Sequence, residues 1–388
     1  MAGKLTKWQT ALRMTVAAPR LRSPKMTRLM VGVPTQDIKQ RGVSVRLSDD
    51  MVGRILSAYH KTPKIEALSE IWAGLSSQNG SFLEALESKD AENVSDALNS
   101  MFSTALVSGM GHGHMAGFKK AKKKREAERY FNLRTRDAIL SLAEALAVKP
   151  LYSNYQTTFK EYLFDMQRDL APLIEDIEKT LNHSVVAPSF GDPPVVEHGS
   201  HAVSPDSIRH AYVMHRVRQL GFTADDRILE IGGGFGNVAR YATLNGFRNY
   251  GIVDLPYVSA IQAAYLAGTI GEENVGLYGE TQDAWVRLYP STNDDAFSTP
   301  AVLTLNMDSL PEIPDAEARA YLIKIRAMAG HFLSINQEAE KAEKETGTRQ
   351  VSVPTLTRAL GGFTRLHRHP YWPEQGYAEE LYLCEPNA

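Results

Sequence analysis

The sequence predicts an α/β protein, in which a mainly helical N-terminal part precedes a parallel sheet that ends in an antiparallel hairpin. Three observations predict this fold class. Beyond Pro205, short apolar runs typical of strands alternate with helical patterns, as in a parallel sheet covered by helices. Between Ser48 and Leu181 the apolar residues recur mostly at helical spacing. Near the C-terminus, two runs of strand character flank a Pro/Gly turn in "FTRLHRHPYWPEQGYAEELYLCE".

The composition is that of a globular protein long enough for two domains. The 388 residues are 43% hydrophobic and 23% charged, and the formal net charge of -2 gives no indication of a nucleic-acid partner. The single cysteine, Cys384, rules out a disulfide within the chain. No apolar run approaches the roughly 20 residues that span a bilayer, and the N-terminus lacks the apolar core of a secretory signal. We therefore expect a cytoplasmic protein without a transmembrane segment.

The N-terminal half divides into a basic arm and a helical domain. Residues 1–46 hold ten Lys/Arg and one acid, Asp37, which is typical of a solvated tail or of an arm that contacts an anionic partner. Residues 47–190 form the predicted helical domain, whose first helix has Ser48 as its cap. This domain would serve as a lid, an acceptor platform or the interface of a homodimer.

Two segments interrupt the helices. One is "SGMGHGHMAG", too rich in glycine for a stable helix, which we expect to be a flexible loop able to close over a site. It leads into the basic run Lys119–Arg129, which is either a solvated helix face or a contact for an anionic acceptor. The other is residues 182–205, a linker or shaped loop with four prolines. The third predicted domain, residues 191–388, begins within it.

The third domain starts with a helix and continues as strands and helices in alternation. Ser204 can cap the helix "SPDSIRHAYVMHRVRQLG", with Pro205 in its first turn. The predicted strands are "RILEIG", "YGIVDLP", "NVGLYGE", "PAVLTLNM" and "HFLSINQ". The predicted helices between them are "GNVARYATLNG", "YVSAIQAAYLAGTIG" and "DAEARAYLIKIRAMAG". This order, with the terminal hairpin, is the methyltransferase variant of the Rossmann-like doubly wound fold.

The glycine cluster in "RILEIGGGFGNVARYA" indicates a nucleotide-type cofactor. Its pattern E-x-G-x-G-x-G comprises Glu230, Gly232, Gly234 and Gly236. A dinucleotide fingerprint can still be read if Ala239 takes the last position, so the glycine spacing alone leaves NAD open. An acid at Glu230 suits the cationic sulfonium of S-adenosylmethionine (SAM) better than a pyrophosphate. Asp254, which ends the next strand, can bind the ribose hydroxyls of either cofactor. Together the residues favour SAM.

Five segments in order resemble the sugar O-methyltransferases, a SAM-dependent family. They are "ILEIGGGFGNVARYA", "YGIVDLPYV", "LNMDSLPEI", "FLSINQ" and "HPYWPEQGYAEELYL", and the resemblance covers roughly residues 185–388. It implies that the SAM tail and ribose lie along Glu230, Gly232, Gly233, Gly234 and Gly236. It further implies that Asp254 binds the ribose hydroxyls, that Leu255 lies beside the adenine, and that Asn306 faces the methyl-transfer site.

Methyl transfer to an alcohol requires a base or a metal ion, because an alcohol is a weak nucleophile. In open α/β sheets the site lies beyond the carboxyl ends of the strands, which directs attention to Asp308 and Glu312. If their segment forms one helical turn, both carboxylates face the same side, where they could act as base, bind sugar hydroxyls or hold a divalent ion. His367 and His369 alternate on a strand, and His369 is a further candidate for the base.

The pattern does not indicate a dedicated metal site. His112, His114, His198 and His201 have no cysteine partners, and any divalent ion would be magnesium held by carboxylates. The predicted acceptor is a sugar or glycan; the alternative is a phenolic or polyketide-type small molecule. Tyr371 is expected near the mouth of the site together with Trp372. A NAD-dependent dehydrogenase and a non-catalytic scaffold are the remaining, less favoured hypotheses.

Overall fold

The structure of the chain, a computed structural model, describes residues 33–63, 70–120, 124–151, 164–338, 350–374 and 376–385. Most of the predicted basic arm therefore lies outside the described residues, as do three residues of the basic run. The strands are β1 (Lys39–Gln40), β2 (Pro194–His198), β3 (His201–Val203), β4 (Ile228–Ile231), β5 (Tyr250–Asp254), β6 (Val275–Gly276), β7 (Val286–Pro290), β8 (Ala301–Met307), β9 (Ala329–Gln337), β10 (Phe363–Pro370) and β11 (Tyr377–Cys384).

The eight strands β4–β11 form one sheet in the order β10-β11-β9-β8-β4-β5-β7-β6. β11 runs antiparallel to both of its neighbours, whereas the other pairs are parallel. The predicted fold class, a mainly parallel α/β sheet with a terminal antiparallel hairpin, is thereby confirmed. Sequence reasoning missed β7, where buried residues alternate with partly exposed ones over only five residues.

The helices are α1 (Asp49–Lys61), α2 (Glu70–Gln78), α3 (Gly80–Ser88), α4 (Ala91–Asn99), α5 (Met115–Lys120), α6 (Lys124–Ala145), α7 (Ala171–Leu181), α8 (Pro205–Gln219), α9 (Asn237–Leu244), α10 (Pro256–Ile270), α11 (Asp315–Met328) and α12 (Val353–Leu360). Two of the predicted caps are present. The Ser48 side chain accepts a hydrogen bond from the backbone of Met51, and Ser204 forms a reciprocal capping box with Ser207.

The segment predicted as a linker, residues 182–205, folds into part of a small sheet. β2 and β3 pair as an antiparallel hairpin, and β1 adds to the other edge of β2. Gly199 supplies the positive φ of the turn, and both His198 and His201 are buried. Sequence reasoning missed these short strands because Pro193 and Pro194, at the start of β2, are typical of loops.

One hydrophobic core extends from the helical half into the sheet domain. It includes Leu98 of α4, Leu142 of α6, Val213 of α8, Ile261 of α10 and Leu305 of β8. α1 packs against α10 and α6 packs against α8. Both halves of the chain contribute buried side chains to this one cluster. The domain limits themselves stay predictions. In the described ranges, no helix combines the length and the apolar character needed to cross a membrane.

Candidate functional site

A cavity of about 880 Å³ opens at the carboxyl ends of β4, β5, β7 and β8. This edge of a parallel α/β sheet is where ligands bind. The cavity brings together most residues that the sequence predicted for the site, namely Glu230, Gly232, Gly233, Gly234, Asp254, Leu255, Asp308 and Glu312. Three predicted residues lie outside its lining: Gly236, Asn306 and His369.

The glycine turn after β4 depends on the absence of side chains. Gly232 has a φ of 71°, and a Cβ there would lie 2.1 Å from Oγ of Ser309. Gly234 has a φ of 55°, and its Cβ would lie 3.2 Å from the carbonyl oxygen of Met110. Both conformations favour glycine, and the closer approach at Gly232 leaves no room for a side chain. Gly236 serves another purpose, because it precedes α9 and packs against Leu266 of α10.

Asp254 ends β5 at the floor of the cavity. Its carboxylate accepts hydrogen bonds from the backbone N–H of Leu255 at 2.8 Å and from Nε2 of Gln262 at 2.7 Å. Burial raises the pKa of Asp254 to about 7, although these hydrogen bonds oppose the increase. Gln262, which sequence reasoning missed, also donates to the carbonyl oxygen of Gly234 at 2.9 Å. It therefore ties the carboxylate to the glycine turn.

Glu230 lies beneath the glycine turn and is only 1% exposed. The hydroxyl of Tyr250 donates to its Oε2 at 3.0 Å, and a Cβ at Gly233 would lie 3.0 Å from the same oxygen. Burial raises the pKa of Glu230 to about 8, so the carboxyl group is protonated at neutral pH. The sequence-based charge argument assumed an ionised group, which this buried position does not favour.

Asn306 braces the glycine turn from behind and does not face the cavity, which corrects the sequence-based expectation. Its side chain is fully buried, with Nδ2 donating to the carbonyl oxygen of Ile231 at 2.8 Å and to Oγ of Ser309 at 2.5 Å. Asn336 donates to its Oδ1 at 2.8 Å. The effect is to hold Ser309 against the turn.

Asp308 and Glu312 both line the cavity, but not on one α-helical turn. Asp308 has a left-handed φ of 70°, and the short 3₁₀ turn Leu310–Glu312 follows it. Nη2 of Arg209 lies 2.8 Å from Oδ2 of Asp308. The Arg209 guanidinium stacks over the ring of Tyr377 at 5.1 Å, and these two side chains also line the cavity.

The glycine-rich segment of the helical half covers the glycine turn. Its residues 109–112 line the cavity and are anchored there. The backbone N–H of His112 donates to Oδ2 of Asp206 at 2.9 Å, and its Nδ1 lies 2.6 Å from Oδ1. Burial alone would lower the pKa of His112, but the carboxylates of Asp206 and Glu374 outweigh it and raise that pKa. The segment expected to be flexible is thus held by a paired histidine.

Two other basic groups, Arg134 and His210, lie near this end of the cavity, and His210 belongs to its lining. Arg134 donates to Glu374 at 2.6 Å, and Nε of Arg209 lies 3.1 Å from the same carboxylate. His210 receives a hydrogen bond on Nδ1 from Asn237 at 3.0 Å, and burial lowers its pKa to about 4, so the ring is neutral. Sequence reasoning did not include Asp206, Arg209 and His210 in the site. Their spacing of three and four residues at the start of α8, which places them on the same side of the helix, could have indicated them.

The predicted aromatic and histidine candidates of the hairpin lie away from the cavity. Tyr371 is 1% exposed, and its hydroxyl donates to the carbonyl oxygen of Arg209 at 3.0 Å. His369 lies on β10 and stacks on His367, with ring centroids 4.4 Å apart. Neither side chain belongs to the lining of the cavity.

No family model matches the sequence, and no curated protein matches it. Among solved structures, the chain is similar to the magnesium protoporphyrin IX methyltransferase of Synechocystis PCC 6803 with bound SAM, at 12% identity, 46% of this chain, 80% of that chain and a TM-score of 0.33. It is similar to a glycopeptide N-methyltransferase complexed with S-adenosyl-L-homocysteine, with 14% identity and a TM-score of 0.34. That match covers 45% of this chain and 89% of the other. It is also similar to an O-methyltransferase family protein of Burkholderia thailandensis, with 12% identity and a TM-score of 0.31. That match covers 47% of this chain and 60% of the other. Likenesses at this level do not assign a family.

Proposed function

We propose that the protein is a SAM-dependent methyltransferase that moves a methyl group to a hydroxyl of a sugar or glycan. One observation carries the proposal. A single cavity is lined by the glycine turn and the Asp254 carboxylate, and also by the carboxylates of Asp308 and Glu312. The first pair suits a nucleoside cofactor, and the second suits a hydroxyl acceptor beside it.

Side chains at the start of α9 are buried and engaged, which favours SAM over a dinucleotide at this turn. A pyrophosphate is bound by the exposed backbone N–H groups of that helix start. Here Phe235 is 4% exposed and packs its ring against Tyr265 at a centroid distance of 4.9 Å. The Asn237 side chain is engaged by His210 and Tyr265. SAM has no pyrophosphate, and its ribose hydroxyls can donate to Asp254 while the glycine backbone passes beneath its tail.

The acceptor would lie between the SAM sulfonium and the carboxylates. SAM supplies an electrophilic methyl group, and the protein must align a hydroxyl behind it. We assign Glu312 as the base that takes the hydroxyl proton, because it lines the cavity just beyond the carboxyl end of β8, and the ion pair of Asp308 with Arg209 at 2.8 Å suits Asp308 to an orienting role. Asp308 and Tyr377 would orient the acceptor. His369, the third base candidate from the sequence, is not included because it lies away from the cavity.

The polar lining supports a polyhydroxylated acceptor. Asp308, Glu312 and Glu317 offer carboxylates that accept hydrogen bonds from hydroxyls. A phenolic or polyketide-type acceptor is the second candidate, and the apolar wall formed by Trp72 and Met110 favours it. Labelled SAM incubated with nucleotide sugars, oligosaccharides and phenols separates the two, because only one class should become labelled.

Glu312→Gln should lower turnover roughly 100-fold or more while SAM affinity changes little, because the amide keeps the shape but cannot take a proton. The measurement is methyl transfer from labelled SAM at saturating acceptor, with SAM binding followed by calorimetry. Glu92→Gln, an exposed position on α4, is the matched control and should behave as wild type. Normal turnover in Glu312→Gln would remove this residue from the mechanism without affecting the assignment of SAM.

A further inference from the structure

A cluster of metal-ligand side chains lies on the terminal hairpin, apart from the cavity. His367 and His369 project from the same face of β10, and Glu379 lies opposite His369 on β11. One ligand atom from each residue falls within 4.8 Å of the others. We propose that these three residues bind a divalent transition-metal ion of the class represented by Zn²⁺. The inference does not depend on the proposed methyl transfer.

Two of the three distances between the ligand atoms match those between the ligands of a tetrahedral zinc ion, and the third is at most 4.8 Å. Nε2 of His367 lies 3.2 Å from Oε1 of Glu379, and Nε2 of His369 lies 3.4 Å from the same oxygen. Tetrahedral ligands at the usual Zn–N and Zn–O distances are separated by about 3.3 Å. Two imidazoles and one carboxylate suit zinc and neighbouring transition metals rather than magnesium or calcium.

The imidazole nitrogens that would bind the ion already have polar neighbours. Nη2 of Arg216, which can only donate, lies 3.4 Å from Nε2 of His369, so the lone pair of this nitrogen faces Arg216. Nε2 of His367 is buried and lies 3.2 Å from Oε1 of Glu379. Metal binding would replace both contacts.

Glu379 is held in place for this role. It is 1% exposed and accepts hydrogen bonds from Arg216, through Nη2 to Oε1 at 2.7 Å and through Nε to both oxygens at 3.1 Å. A metal ion on Oε1 leaves the Nε contact to Oε2 in place, and ligating carboxylates are commonly anchored in this way. Arg216 adds positive charge, so the remaining coordination positions would hold water or an anion. The His369 side chain is 46% exposed, which gives the ion a route of entry.

Zinc binding would cross-link the two strands of the hairpin. Two ligands come from β10 and the third from β11, and Arg216 links the third to α8. Because an ion that binds only the folded chain stabilises that state, zinc should raise the Tm, and the increase should grow with the free Zn²⁺ concentration. The three ligands do not belong to the lining of the cavity, so the effect should be on stability.

The test is a calorimetric Zn²⁺ titration of chain stripped with a chelator, with Tm measured with and without Zn²⁺. Wild type should bind one ion and gain thermal stability. His367→Ala/His369→Ala should weaken Zn²⁺ binding at least roughly 100-fold and lose the Tm increase, whereas His60→Ala, which removes an exposed histidine of α1, should keep both. In the Co²⁺-loaded protein, wild type should give the intense visible bands of tetrahedral coordination.

Two results would overturn the proposal. One is the absence of saturable Zn²⁺ binding by wild type. The other is equal binding by wild type and the double histidine variant. The double variant leaves the buried Glu379–Arg216 pair intact, so it is expected to fold, and its circular dichroism spectrum checks this. Glu379→Gln is less suitable, because it leaves Arg216 without a carboxylate partner.

Discussion

The two acids predicted to belong to a SAM site differ in their surroundings, although Glu230 and Asp254 both lie near the carboxyl ends of adjacent strands. Asp254 reaches the cavity and is bonded by Gln262 and a backbone N–H, whereas Glu230 is enclosed beneath Gly233 and bonded by Tyr250. Asp254 is thus the acid placed to meet a ribose. Glu230 contributes a neutral hydrogen-bonding group that supports the turn.

Glu230→Gln should make folding less dependent on pH. The pKa of Glu230 is about 8 in the folded chain, against 4.5 for the unperturbed group, so the folded state keeps a proton that the unfolded state has lost. Stability from this group is therefore present below pH 4.5 and declines as the pH rises toward 8, by roughly 1.4 kcal/mol per pH unit. Glutamine preserves the acceptor for Tyr250 but does not titrate.

Urea unfolding at pH 5 and pH 8 measures this effect. The free energy of unfolding of Glu230→Gln should exceed that of wild type at pH 8 by more than it does at pH 5. A difference that stays constant between the two pH values would mean that Glu230 is ionised in the folded chain.

Local chemical patterns in the sequence singled out residues that the fold brings together. Glu230, Gly232, Gly234 and Asp254 all line one cavity, while their binding roles stay predictions. Asn306 was assigned to the wrong side, because a residue at a strand end can point either into the cavity or toward a neighbouring strand. Its partners Ile231 and Asn336 lie on other strands, and nothing in the sequence pairs them.

At the scale of elements, the anchored glycine-rich segment joins the helical half to the site. Gly111 approaches Asp206 so closely that a Cβ would lie 2.9 Å from its Oδ2, and the carbonyl of Met110 covers Gly234. The start of α8 therefore positions a wall of the cavity. This connection spans 94 positions between His112 and Asp206, which explains why the sequence alone predicted only a flexible loop.

Asp206→Asn should loosen this wall. The substitution removes a charge-assisted pair with His112, and such hydrogen bonds contribute about 1.5–3 kcal/mol. Amide hydrogen exchange at residues 109–114 should become faster, and SAM affinity should fall roughly 10-fold or more. Asp176→Asn, at an exposed position of α7, is the control. Unchanged exchange in Asp206→Asn would show that packing, without this pair, holds the segment.

Short strands were harder to predict than long helices. β7 and the β2–β3 hairpin contain few residues, and prolines or a partly exposed face weaken their patterns. The helices α8 and α10 carry 15 residues each, and both were predicted from their apolar spacing and terminal signals. The length of an element therefore determined whether it was predicted, since a short apolar pattern is compatible with more than one secondary structure.

At the scale of the whole molecule, the shared core should make unfolding cooperative. Leu98 of the helical half and Ile261 of the sheet domain belong to one buried cluster, and Arg54 of α1 pairs with Glu280 beside β6 at 2.8 Å. We expect a single calorimetric transition, with van't Hoff and calorimetric enthalpies in agreement. Two separated transitions would mean that the two halves fold independently, as the predicted boundary near residue 190 implies.

The central claim is that Asp254 and the glycine turn bind SAM, and calorimetric titration of the full chain tests it most directly. Wild type should bind one SAM, and Asp254→Asn should bind it roughly 10–100-fold more weakly, because charge-assisted hydrogen bonds to the ribose are lost. Asp283→Asn, at an exposed position, should match wild type. Equal SAM affinity in Asp254→Asn and wild type, or binding of NAD⁺ in place of SAM, would contradict the account.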